Sequence, residues 1–196
     1  MEQQDREKPV EFDPSRFFES FAGVGKELIF RPKNFFRQLP LKGNLKNPFV
    51  FLVICTFFSS LFVANLINGG YNLFFALLFA NTLSVFMGSF VFHNSLVSKI
   101  FGSNVPFAAT FCITAYASLM DIAAWIPALG LLANFYGFYL IYIGFQEIHQ
   151  LKSRQAVAAV ISIVLIIGLL RICIISMTAG SWIEGIKLLD FENKGF

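Results

Sequence analysis

Residues 48–67 read PFVFLVICTFFSSLFVANLI, 20 positions without a single Asp, Glu, Lys or Arg. A helix of about 20 apolar residues covers the ~30 Å hydrocarbon core of a bilayer, so this stretch reads as a membrane span. Pro48 fits its first turn, where the missing N–H would be unpaired anyway, and Asn68-Gly69-Gly70 forms the turn that ends it. Four more apolar blocks follow, at roughly 71–97, 105–125, 128–145 and 155–177. Gly102, Asn104 and Pro106 mark the loop after the second, Pro127 closes the third, and the fourth is the shortest. The chain is 56% apolar and 14% charged, with 26 Phe, which is too oily for a soluble domain of 196 residues. The reading is an all-α membrane protein, a bundle of five transmembrane helices.

Charge sets the orientation. Twelve of the 15 Lys and Arg lie before the first block, after the second or after the fourth: Arg6, Lys8, Arg16, Lys26, Arg31, Lys33, Arg37, Lys42, Lys46, Lys99, Lys152 and Arg154. Only Lys187 and Lys194 follow the fifth, and Arg171 lies inside it. Cytoplasmic loops carry the basic excess, so the N-terminus is expected inside and the C-terminus outside. The first 13 residues contain no apolar signal core, so the first span is expected to serve as an uncleaved insertion signal. Cys55, Cys112 and Cys173 each lie in an apolar block without metal-ligand spacing and read as small hydrophobes.

Four segments result. Residues 1–14 form a polar tail expected to be disordered. Residues 15–46 form an amphipathic, basic cytoplasmic segment, residues 47–178 the five-helix domain, and residues 179–196 a short outer tail. Within the second segment Phe17, Phe21, Val24 and Leu28 recur at helical spacing. Such a helix lodges in the headgroup region with its rings in the acyl boundary, or it docks on the bundle. Lys26, Arg31, Lys33 and Arg37 favour the lipid surface, and anionic lipid in particular.

Enzyme signatures are missing: there is no HExxH, no Gly-x-Ser-x-Gly and no Gly-Lys-Ser/Thr phosphate loop. No catalytic residue, metal site, cofactor or nucleic-acid partner is expected. Three intramembrane constellations remain. Asp121 and Arg171 each lie 16 residues along an outward-running block. Equal depth, and the cost of a lone charge in lipid, point to an ion pair, with a solute or proton pathway as the alternative. Gly130, Gly137 and Gly144 repeat every seven residues and form one face for close helix packing. Tyr139, Tyr142, Gln146 and His149 form a polar stripe toward the inner surface. It reads as interfacial tyrosines or as the lining of a hydrated crevice.

Phe101-Gly102, the run from Pro106 to Tyr116-Ala117, Ile126-Pro127, Tyr139-Leu140-Ile141-Tyr142-Ile143-Gly144-Phe145, His149 and Ala156-Val157 together resemble the Ypt-interacting-protein (Yip) domain family. Pro32-Lys33-Asn34-Phe35-Phe36 and Pro48 resemble its bacterial members. The resemblance implies five spans and a cytoplasmic N-terminus. Eukaryotic members are linked with Rab GTPases and membrane shaping, but this chain lacks their long N-terminal region and resembles a prokaryotic relative. The expectation is a non-enzymatic integral protein of a bacterial or archaeal cell membrane. It would organise the bilayer or scaffold partners, with protein partners or homo-oligomers to match. The alternative is a small-solute or lipid transporter using Asp121, Arg171 and the span-four polar residues.

Overall fold

The computed structural model describes residues 11–39, 45–100 and 102–193, with side chains to residue 177. Seven α-helices occur among them: α1 Phe17–Phe30, α2 Pro32–Gln38, α3 Lys46–Leu66, α4 Gly70–Phe92, α5 Phe107–Ala117, α6 Pro127–His149 and α7 Ser153–Asn193. There is no strand among the described residues. A π turn, His93–Val97, extends α4, and a 3-10 turn, Ser118–Ile122, extends α5.

Four of these helical segments are long and apolar enough to cross a membrane: Lys46–Leu66, Gly70–Val97, Pro127–His149 and Ser153–Met177. Phe107–Ile122 is apolar but shorter. The expectation that the fourth block is the shortest is corrected: the third is the short one. Pro127 does not close the third block; it takes the first helical position of α6, where its fixed φ favours initiation. The fourth block therefore gains a full-length helix and the third loses its end. After Ala117 the chain tightens into 3-10 geometry, with the Ser118 hydroxyl donating back to Ala115 O at 2.6 Å.

The short helix sits at the centre. Every residue from Ala109 to Ala117 is buried, as expected of a helix apolar on all sides. It packs on α3, α4 and α6, while α4 also packs on α3 and α7. The outward faces of the long helices expose Phe57, Phe75, Phe79, Leu131, Phe135, Leu165 and Leu169. A monomer in water could not leave so much apolar surface open; a lipid tail covers it without penalty. Small residues set the close approaches. A Cβ on Gly88 would lie 2.6 Å from Ile167 Cγ1 and 3.4 Å from Ile167 Cα, so this glycine sets the distance between α4 and α7.

The N-terminal helices do not lie free on lipid. Val24 and Leu28 of α1 and Phe35 and Phe36 of α2 are buried in the main core. Phe21 stacks on Phe51 of α3 at 5.1 Å between ring centroids, and Phe35 meets Tyr116 of α5 edge-on at 5.1 Å. The Tyr136 hydroxyl of α6 donates to Leu28 O at 3.0 Å and Ile29 O at 2.7 Å. The aromatic stripe therefore meets protein, and the preference for lipid lodging is corrected for Phe17, Phe21 and Leu28. Burial against protein removes these rings from water as acyl chain would, and adds fixed ring contacts with Phe51 and Tyr116 in the space between α3 and α6. Phe18, Ile29 and Phe30 are the large apolar residues of α1 left exposed. Residues 1–10 of the expected disordered tail lie outside the described residues, as does Lys42. Its end is ordered: Phe12 is fully buried, with its ring 5.4 Å from that of Phe51.

Candidate functional site

Thr110, Thr114, Ser118 and Asp121 follow one another at i, i+4, i+8 and i+11 along α5 and its 3-10 extension. That spacing puts them on one face, where they form a polar file through the middle of the bundle. At its first end Thr110 Oγ1 sits 2.9 Å from His93 Nδ1 and 3.1 Å from His149 Nε2. The other His149 nitrogen, Nδ1, is 2.9 Å from Ser103 Oγ. One hydroxyl can donate to one ring and accept from the other, so Thr110 bridges the two imidazoles. The π turn aims His93 at this contact. One helical turn on, Thr114 Oγ1 is 2.7 Å from Ser89 Oγ of α4. The hydroxyls of Thr110 and Thr114 and both imidazoles thus find partners, as the low dielectric demands, whereas the buried Tyr116 hydroxyl has none.

The file ends in a cavity of about 230 Å³, lined by Thr114, Ser118, Asp121, Asn134, Gly137 and Arg171 among others. The expected Asp121–Arg171 ion pair is corrected here. The two charges face the same cavity, yet the direct ion pairs among the described residues are Arg16–Asp13 and Arg37–Glu147. Arg171 Nε is buried without a hydrogen-bond partner. Equal depth in sequence brought the residues to the lining of one cavity without a direct contact between them.

The expected stripe on α6 does not converge on a crevice. Tyr139 is 44% exposed, Tyr142 and Gln146 are partly buried, and His149 is buried in the contacts above. Gln146 Nε2 instead donates to Ser153 Oγ at 3.1 Å, across the α6–α7 turn. The three glycines are all buried but not equivalent. A Cβ on Gly130 would meet the backbone of Ala124, and one on Gly144 would meet Ile113. One on Gly137 would find Met120 Cβ at an ordinary 3.5 Å.

On the N-terminal helices Lys26, Arg31 and Lys33 are exposed, while Arg37 Nε donates to Glu147 Oε2 at 2.6 Å. Ahead of α1, Asp13 accepts the Ser15 N–H at 2.9 Å, which holds its carboxyl below the usual range. Burial holds Glu11 above that range, against the opposing effect of a hydrogen bond with Asn47. Between α1, α3 and α6 opens a second, wider hollow of about 990 Å³, floored by Phe21, Gly25 and Ile29 and walled by Phe62, Leu129 and Leu132. No three His, Cys, Asp or Glu among the described residues come together as a metal site.

Sequence reasoning missed two elements. The Thr110–Asp121 file was legible as a period of nearly four within an apolar block. Tyr136 carried no signal of its own, since tyrosines are common at membrane interfaces.

No curated protein and no solved structure matches the chain. The model of the Yip1 domain matches residues 26–175, from within α1 to near the end of the membrane-spanning part of α7. A bundle of apolar helices and a match over most of the length make the chain a multi-pass integral membrane protein that belongs to the Yip1 domain family.

Proposed function

We propose that the chain is a non-enzymatic membrane-organising protein of five spans, with its N-terminus inside. Its docked helices α1 and α2 would widen the bundle in the inner leaflet. The observation that carries this reading is an asymmetry between α3 and α6. The side of the gap toward Phe51 and Tyr116 is filled by α1 and α2, and the side toward Phe62 and Leu129 is left open as the wide hollow. Tyr136 lies nine residues from Pro127 and thirteen from His149. At about 1.5 Å per residue it is about 14 Å from one end of α6 and about 20 Å from the other. The carbonyls of Leu28 and Ile29 bound to it therefore reach about the middle of the span. A body broader in one leaflet favours a bent bilayer. Arg37, 63% exposed and paired with Glu147 near the inner end of α6, adds attraction for anionic headgroups there.

Five spans require Phe107–Ile122 to cross. Eleven α-helical residues at about 1.5 Å and five in 3-10 geometry at about 2.0 Å reach about 26 Å. That is enough for a central helix shielded from lipid by its neighbours. Burial of the helix also explains how it keeps its polar file.

Reconstitution into anionic vesicles tests the reading. The full chain is expected to shift vesicles toward smaller diameters in electron micrographs. A variant with α1 undocked, Val24→Asp with Leu28→Ser, should lose that effect while staying inserted. Equal vesicle sizes with and without the protein would overturn it. Crosslinking in native membranes followed by mass spectrometry would identify any partner on the same basic surface.

A further inference from the structure

We propose that the cavity between α5, α6 and α7 is a binding site for a small zwitterion, an ammonium group joined by a short linker to an oxyanion such as phosphate or carboxylate. The site holds two opposite charges that do not touch. Arg171 Nε is buried and has no partner, although its guanidinium shares the cavity with Asp121. Burial strengthens attraction between charges, so a group carrying both signs would gain from each of them at once.

The polar groups sort by sign. Arg171 supplies donors only. The Asp121 carboxylate is an acceptor, and Asn134 adds a second. One N–H of its Nδ2 donates to Gly130 O at 2.9 Å, and Oδ1 has no partner among the described residues and can accept. Ser118 donates to Ala115 O and keeps its lone pairs. An oxyanion placed at Arg171 and an ammonium placed between Asp121 and Asn134 would satisfy every one of these groups. A lone anion would leave Asp121 facing like charge, and a lone cation would leave Arg171 so.

Size agrees. About 230 Å³ is room for several waters, and so for a group as small as phosphoethanolamine. Gly137 adds no side chain to the α6 wall beside Asn134. The same chemistry occurs in a free solute and in the headgroup of an ethanolamine phospholipid, and the site recognises what they share.

The test uses the purified full chain in detergent and native mass spectrometry. Phosphatidylethanolamine and phosphatidylglycerol are offered in equal amounts, then soluble phosphoethanolamine alone. The expected result is retention of phosphatidylethanolamine, phosphoethanolamine or both, with phosphatidylglycerol retained about tenfold less for want of an ammonium. Retention of phosphoethanolamine alone, at a stoichiometry of one, marks a free solute as the source; retention of the lipid alone marks the headgroup. Arg171→Gln and Asp121→Asn should each lower retention about tenfold, the loss of one charge-assisted contact. Should either fail to fold, Asn134→Leu and the wild-type comparison of the two lipids still decide. Retention of both lipids to the same extent, retention of neither lipid nor phosphoethanolamine, or full retention by the folded variants would overturn the proposal.

Discussion

Alanine placed in turn at Gly130, Gly137 and Gly144 separates three environments that look alike as a heptad repeat. At Gly130 the new Cβ would lie 2.8 Å from Ala124 C and 3.1 Å from Ala124 Cα, and closest of all to the Ala124 carbonyl oxygen. These are backbone atoms of the turn leading into α6, and no rotamer moves them. At Gly144 the Cβ would lie 2.6 Å from Ile113 Cγ2 and 2.9 Å from Cγ1. Both arms of a β-branched side chain stand in the way, on a helix with no free face to retreat to. At Gly137 the nearest atoms are Met120 Cβ at 3.5 Å and Cγ at 3.7 Å, an ordinary contact. Ala gains roughly 0.8–1 kcal/mol over Gly in a helix interior, and overpacking costs roughly 1–3 kcal/mol. The expected net effects are a loss of about 2 kcal/mol at Gly130, a loss of about 1–2 kcal/mol at Gly144, and at Gly137 a change between zero and about 1 kcal/mol of gain. Reversible unfolding in mixed detergent micelles measures all three. If Gly137→Ala is the most damaging, or Gly130→Ala is harmless, the helix spacing at α6 is not as described.

Other substitutions probe the docked helices and the polar file. Tyr136→Phe removes the hydroxyl held by Leu28 O and Ile29 O and should cost about 1 kcal/mol; hydrogen exchange should quicken in α1 and not in α7. Leu28→Ala should cost about 2–4 kcal/mol because the side chain is fully buried, whereas Phe18→Ser, at a ring 85% exposed, should leave micelle stability unchanged. Thr110→Val leaves two buried imidazoles without their bridge and should cost about 1–3 kcal/mol, read by thermal unfolding. Glu147→Gln should cost under about 1 kcal/mol, since its Arg37 partner is 63% exposed.

The long spans were legible because 20 uncharged residues leave a chain no other solvent than lipid. Their ends were legible where turn chemistry is strong, as at Asn68, whose positive φ of 52° sits in the expected turn. The third block misled because Leu119, Ile122 and Trp125 continue its apolar run past the point where the α-helix stops. Hydropathy counts side chains and does not register a change to 3-10 geometry. Pro127 was visible, but a proline can close one helix or open the next, and only the chain path decides. The aromatic stripe of α1 was read correctly as a face and assigned to lipid, because a Phe that will meet Phe51 looks the same in sequence as one that will meet an acyl chain. Asp121 and Arg171 were brought to one cavity as their depth implied. Their separation was not legible, since depth along two helices says nothing of the space between them.

The number of crossings bears on everything above, and one pair of positions decides it. Asn104 and Ala128 are both exposed, one before Phe107–Ile122 and one after. In a chain with Cys55, Cys112 and Cys173 replaced, a single Cys is placed at each and intact cells are treated with an impermeant thiol reagent. The expected result is labelling at position 128 from outside, and at position 104 only after the membrane is permeabilised. Labelling of both from the same side would mean that Phe107–Ile122 enters and returns, and would contradict five spans.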